Sequence, residues 1–241
     1  MKKILFLTIF SLATSAVLAD VGDTFFSIKL GSSNSNDAGI STSTDQTNNG
    51  GHLGETNDND LGNSGIFGVS VGKYFSESFR SEIGISQRKG YKYDAKIRLI
   101  DGIPDTDSNI EKADVKSLTV FLSGYFESQP MILLQKSVTP YLGFGVGISR
   151  NKMETVDLFQ DGALLGTLAG NTETEFSRKF ALGTLIELSD NVSIDLNYQY
   201  VDLGDIKSGS DLSFDARDMA APITGPEITS NEFNVGLQIT F

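Results

Sequence analysis

The chain has 241 residues and a mass of 26.0 kDa, enough for one large domain or two small ones. Its formal charge is −12, with 31 acids against 19 Lys and Arg, a balance that argues against a nucleic-acid partner. With no Cys and a single His, thiolate zinc sites, disulfide frameworks, thiol nucleophiles and multi-histidine metal centres are excluded too.

The chain opens on Lys2 and Lys3, followed by an apolar run over residues 4–12 and the stretch Val17-Leu18-Ala19. This is the pattern of an export signal. It predicts a signal peptide over residues 1–19, cleavage between Ala19 and Asp20, and a single mature domain over residues 20–241.

The rest of the chain alternates with a period of two, the pattern of strands with one apolar face. Phe26, Ile28 and Leu30 share the first such face, and Phe67, Val69 and Val71 the second. Phe79, Ile83 and Ile85 follow, then Leu118, Val120, Leu122 and Phe126, then Leu142, Phe144, Val146 and Ile148. Phe180, Leu182, Ile186 and Leu188 make the sixth, and Val192, Ile194, Leu196 and Tyr198 the seventh. Phe233, Val235, Leu237, Ile239 and Phe241 make the eighth. Each segment has about the ten residues that cross a bilayer at a tilt. Short polar links, Ser76-Glu77-Ser78 and Ser189-Asp190-Asn191, and a longer one over residues 127–137, alternate with four long connections near residues 33–64, 92–113, 150–175 and 202–229. The pattern predicts an all-β fold: an eight-stranded antiparallel transmembrane β-barrel with short periplasmic turns and four long extracellular loops.

Alternation alone does not say which face points inward. The polar face is rich in Gly, Ala and Ser, which suits a narrow lumen better than a solvated surface. Aromatic residues gather at the strand ends. Phe75, Phe79, Phe126 and Phe241 are assigned to a periplasmic girdle, and Tyr91, Phe176, Tyr198, Tyr200 and Phe233 to an outer one. With the apolar face outward, Lys29, Arg80, Arg88 and Lys179 point inward with Glu82, Glu187, Asp195 and Glu232. Unpaired charges are costly in such a tube. The reading is therefore a lumen ion-pair network of Lys29, Arg80, Glu82, Glu187 and Asp195 that leaves no wide channel, with Arg88, Lys179 and Glu232 at the wet rims. Lys73, on the apolar face near the periplasmic end, reads as a snorkelling residue.

Other candidates are weaker. Gly143, Gly145 and Gly147 alternate with apolar residues and precede no helix, so they read as lumen positions and not as a dinucleotide loop. His52 stands in a loop rich in Gly and Asn with nothing to hold a catalytic base in place. Glu55, Asp58 and Asp60 lack the further ligands of a calcium loop. No catalytic residue, metal site or cofactor is predicted. The loops carry essentially all the net charge; residues 33–64 alone hold five acids and no Lys or Arg. Apolar loop residues such as Ile97, Leu99, Leu158, Phe159, Leu164, Leu165 and Leu168 point to hairpins extended above the membrane or to a contact surface, with extension preferred for residues 92–100.

Three stretches carry a family resemblance. Residues 139–147 (TPYLGFGVG), 196–205 (LNYQYVDLGD) and 231–237 (NEFNVGL) resemble segments of the OmpA/OmpX/opacity-protein superfamily of eight-stranded barrels. The chain departs from the family at Gln199 and over residues 238–240. The resemblance implies a Gram-negative outer-membrane protein in contact with outer-membrane lipid and lipopolysaccharide. It also implies that Phe233, Val235, Leu237, Ile239 and Phe241 are the C-terminal signal read by the barrel-assembly machinery. The expected role is that of a surface antigen or adhesin whose loops meet a host or another surface. A small porin is the alternative, and a lipid-modifying barrel enzyme a remote one.

Overall fold

A computed structural model describes residues 21–36, 42–44, 52–56, 61–100, 103–104, 109–213, 223–225 and 227–241. The signal segment with Ala19 and Asp20, and Asp58 and Asp60, lie outside these residues. Eight long strands make the body of the protein: β1 (Thr24–Ser35), β2 (Asn63–Ser76), β3 (Phe79–Ile100), β4 (Asn109–Glu127), β5 (Lys136–Met153), β6 (Asn171–Ser189), β7 (Val192–Asp202) and β8 (Thr229–Thr240). Each pairs antiparallel with the next. β8 returns to β1, so the sheet closes into a ring of eight.

The closed ring satisfies the backbone of every long strand without water, which is what a bilayer demands. Its outside carries the apolar residues. Leu30, Phe67, Val71, Ile83, Leu122, Phe126, Leu142, Phe180 and Leu182 are all exposed there. No water-facing sheet of this size leaves such a belt uncovered, and its natural solvent is hydrocarbon. Inside, small residues leave room for large ones: a Cβ built on Gly143 would lie 2.4 Å from the Tyr125 ring, and one on Gly183 would lie 2.5 Å from that of Tyr141.

The strands at the outer end are longer than predicted. β3 spans 22 residues and β4 spans 19, so residues 92–100 extend a hairpin, as preferred. The third loop is also β-structured. Val156–Gln160 and Ala163–Leu168 pair with each other, and Val156–Gln160 also pairs with β4. Its tip is Asp161-Gly162, with φ of 50° and 83°, the two left-handed residues of a tight hairpin turn. His52 falls in a short strand, His52–Thr56, paired with the outer end of β3. The longer periplasmic link, over residues 127–137, holds a small ribbon, Met131–Leu133 against β5.

Tyr91 does not join the outer aromatic girdle as the alternation predicts; it is fully buried inside the barrel. The cause is Gly90, whose φ of +121° accommodates a bulge between Lys89 and Tyr91. The extra residue inverts the side-chain phase of β3, so that Arg88 and Tyr91 both point inward. Of the other girdle residues, Phe75, Phe126, Phe176, Tyr198, Tyr200, Phe233 and Phe241 are exposed on the outer surface, and Phe79 is half-buried between the rings of Phe75 and Phe126.

Candidate functional site

The lumen holds two charge clusters, one above the other. In the lower one, Lys29 of β1 lies 3.2 Å from Glu82 of β3 and 3.5 Å from Asp195 of β7. Glu82 also accepts from Tyr125 (2.6 Å) and Ser70 (2.9 Å), while Lys179 donates to the Tyr125 hydroxyl at 3.2 Å. The Tyr141 hydroxyl donates to Asp195 at 2.5 Å. The contact between Lys29 and Asp195 Oδ2 is an ion pair without hydrogen-bond geometry. Below them the buried Arg80 pairs with Glu127, and its guanidinium lies against three rings: Tyr125 (4.3 Å), Tyr141 (5.0 Å) and Phe25 (5.2 Å). Among the described residues its two Nη atoms have no hydrogen-bond partner; ring faces take the place of acceptors.

The upper cluster is centred on Arg88 and Glu232. Arg88 grips the carboxylate with two bonds, Nε at 2.5 Å and Nη2 at 3.0 Å. Glu232 also accepts from Gln199 (2.6 Å), Ser33 (2.9 Å) and Ser230 (3.1 Å). Between the clusters lies a cavity of about 40 Å³, lined by Ser70, Phe121, Asn234 and the lysines, with room for a water or two.

Four of the five predicted network residues, Lys29, Arg80, Glu82 and Asp195, are thus brought together. Glu187 is not among them. It is half-buried next to the bulge between Glu187 and Ser189 and makes no ion pair with the described residues. Glu127 takes the place at Arg80 instead. It opens the link over residues 127–137 in the sequence pattern, but in the structure it ends β4 and continues the inward phase of Tyr125. Arg88, Lys179 and Glu232 are not at wet rims; all three are buried. The barrel wall continues past them, and a separate layer covers them.

That layer is an apolar core at the outer end. Tyr91, Tyr93, Val115, Met153, Val156, Leu168, Leu203, Ile206, Ile223 and Ile228 are buried in it together, with Leu158 packed at its edge. Polar staples hold the fourth loop down. Asn151 donates to the carbonyls of Leu203 (2.8 Å) and Asp205 (3.0 Å), and Ser149 donates to that of Leu203. Tyr93 donates to Glu111 at 2.7 Å, and burial, with that carboxylate beside it, pushes the phenol well above its usual range. Leu164 and Leu165, on the third-loop hairpin, stay exposed.

Two outcomes separate the layers. Gly143→Val drives a side chain into the Tyr125 ring and should cost about 1–3 kcal/mol, read as a lower urea midpoint for the refolded barrel. Leu203→Ala removes a buried side chain from the cap, at about 2–5 kcal/mol of local stability. It should open the outer loops to protease while the heat-dependent gel shift of the barrel persists; unchanged loop protection would show that the cap does not depend on this core.

Comparison with known proteins supplies the context. The model of the family described as "Outer membrane protein beta-barrel domain" matches residues 4–241. Among curated relatives, the uncharacterized protein RC1282 of Rickettsia conorii is 27% identical over 143 residues, 58% of this chain and 59% of its own length. Outer membrane protein PagN of Salmonella typhimurium is 24% identical over 130 residues, 54% of this chain and 52% of its own. The chain thus spans between half and three fifths of the curated relatives it matches. Among solved structures, the outer membrane protein OprG from Pseudomonas aeruginosa superposes with a TM-score of 0.57 at 16% identity, covering 93% of this chain and 98% of that one. At this identity the likeness concerns the fold.

Proposed function

The chain belongs to the outer-membrane protein β-barrel family, and on that premise we propose that it is a surface-display protein of a Gram-negative outer membrane. The barrel anchors, the filled lumen keeps the membrane sealed, and the capped outer layer presents acidic loops to a host or another surface. The apolar cap carries this reading. A pore has no use for a buried hydrophobic core across its mouth, whereas a protein that must hold loops in a fixed arrangement does. The acidic loops favour basic partner patches or cations and repel anionic polymers. The role is one of binding, with no chemistry assigned to any residue. Phe233, Val235, Leu237, Ile239 and Phe241, which run along β8 to its periplasmic end, are read as the signal handed to the barrel-assembly machinery.

The test is loop trimming. Replacing residues 156–168 by a two-residue turn, and shortening the fourth loop in a second variant, should abolish attachment of a surface-expressing bacterium to host cells. Both variants should still migrate as folded, heat-modifiable barrels. Trimmed protein that attaches as well as the intact chain would refute a loop-borne function.

A further inference from the structure

The outward face of the barrel carries a charge pattern that the lumen does not explain. Lys89 of β3 stands opposite Lys116 of β4, and Lys116 stands opposite Lys152 of β5. Arg150 is two residues below Lys152 on the same face, opposite Leu118. Like charges directly opposite on neighbouring strands destabilise a sheet. Among the described residues one acid is ion-paired with this group: Glu154 lies 2.8 Å from Lys116 and 2.6 Å from Lys152. Those two ammonium groups hold its carboxyl below the usual range. Lys89 and Arg150 make no ion pair with any described residue. Higher on the same ribbon the charges are matched, Lys92 with Asp114 at 3.7 Å and Lys112 with Asp94 at 3.4 Å. The excess of positive charge is confined to one level.

The level is informative. Lys89 and Lys116 each stand about ten residues above the periplasmic girdle residue of their own strand, Phe79 and Phe126. At ~3.3 Å per residue and a tilt of ~40°, that climb is ~25 Å, the height of the apolar band of such barrels. The cations therefore stand at the outer edge of the hydrocarbon, above Ile85, Val120 and Ile148. At the same climb the outward residues Gly65 of β2, the register partner of Lys89, and Asn231 of β8, across the barrel, are neutral, and on β6 the outward Arg178 is matched by Asp202 at 2.9 Å. In a chain of charge −12, four cations gathered on one flank at one height need an anion there.

We propose that Lys89, Lys116, Arg150 and Lys152 form a binding site for the phosphate groups of a phosphorylated glycolipid in the outer leaflet. Three adjacent strands spread the four cations over about 10 Å, a width that suits a headgroup carrying more than one phosphate. The lysines act as point charges and Arg150 as a two-pronged donor. Glu154 pre-positions two of the lysines and also competes with the ligand for them. The site rests on the outer-membrane placement proposed above, and the test separates the two.

The experiment uses the folded chain in a neutral maltoside detergent. Diphosphoryl lipid A, the same glycolipid with its phosphates removed, and inorganic pyrophosphate are titrated in, with bound lipid read by native mass spectrometry. Each Lys or Arg near an anionic group contributes about fivefold in affinity. Lys89→Gln with Arg150→Gln, which breaks no ion pair among the described residues, should weaken diphosphoryl lipid A about twenty-fivefold and leave the phosphate-free lipid unchanged. Glu154→Gln should tighten it. Equal binding of the two lipids, or a K89Q/R150Q variant that binds like the parent, overturns the site. Displacement of the lipid by equimolar pyrophosphate overturns it in favour of a soluble-anion site. A parent chain with no heat-dependent gel shift would instead count against the membrane barrel itself.

Discussion

Replacing Glu232 by Leu should cost the barrel about 3–5 kcal/mol, and adding Arg88→Met to the same chain should return most of that loss. Both side chains are fully buried, and the Arg88 guanidinium makes two of its bonds to this one carboxylate. Removing the acid alone leaves a guanidinium in a lumen where no other carboxylate bonds to it. Removing both leaves a shape that apolar atoms fill, with Ser33, Ser86, Thr119, Gln199 and Ser230 short of one partner each. The measurement is the urea midpoint of refolded protein, read by the fraction that keeps its heat-dependent mobility. A double variant no more stable than E232L would mean that the neutral donors around Glu232, and not the stranded charge of Arg88, set the cost. The lower cluster should tolerate such a swap less well. Arg80 also lies against Tyr125, Tyr141 and Phe25, so Arg80→Met loses ring contacts as well as a charge.

The strand count and the direction of each face follow from side-chain alternation, because a one-residue error would turn a whole strand inside out. The same rule fails where the backbone breaks step. Tyr91 was misplaced because Gly90 adds a residue to β3; a lone Gly between Lys89 and Tyr91 was the available warning. Glu127 was missed for a different reason: Pro130 drew it into a turn, although Phe121, Ser123, Tyr125 and Glu127 share one phase. Burial of Arg88, Lys179 and Glu232 was not legible at all. It depends on a cap assembled from Leu61, Met153, Leu203 and Ile228, which are far apart in sequence and have no common period. The apolar residues at 97–100 and 158–168 were visible, and the turn that closes the third-loop hairpin was written in the sequence as Asp161-Gly162; the pairing of that hairpin with β4 was not.

The same two layers determine what the protein does in a planar bilayer. Folded protein should give no steady conductance, because the lower cluster and the cap close the tube in series and either alone is sufficient. Clearing the lower cluster by Arg80→Ser and Tyr125→Ser removes two of the largest fully buried side chains, but leaves Arg88, Glu232 and the apolar core in the path. That variant should stay silent. Trimming the fourth loop removes Ile206, Ile223 and Ile228 from the cap and leaves the ion pairs of Lys29, Glu82 and Asp195 in place. It should be silent as well. Only the combination, joined to Arg88→Ser and Glu232→Ser, is expected to give reproducible steps, and these should vary with salt as a water-filled tube does. Steady steps from the unaltered chain would reverse the functional reading: the side chains at Lys29 and Glu82 would then line a conducting path, and neutralising Glu82 would have to change its ion preference. Conduction after loop trimming alone would place the seal in the cap and make the charge clusters packing elements of the barrel wall.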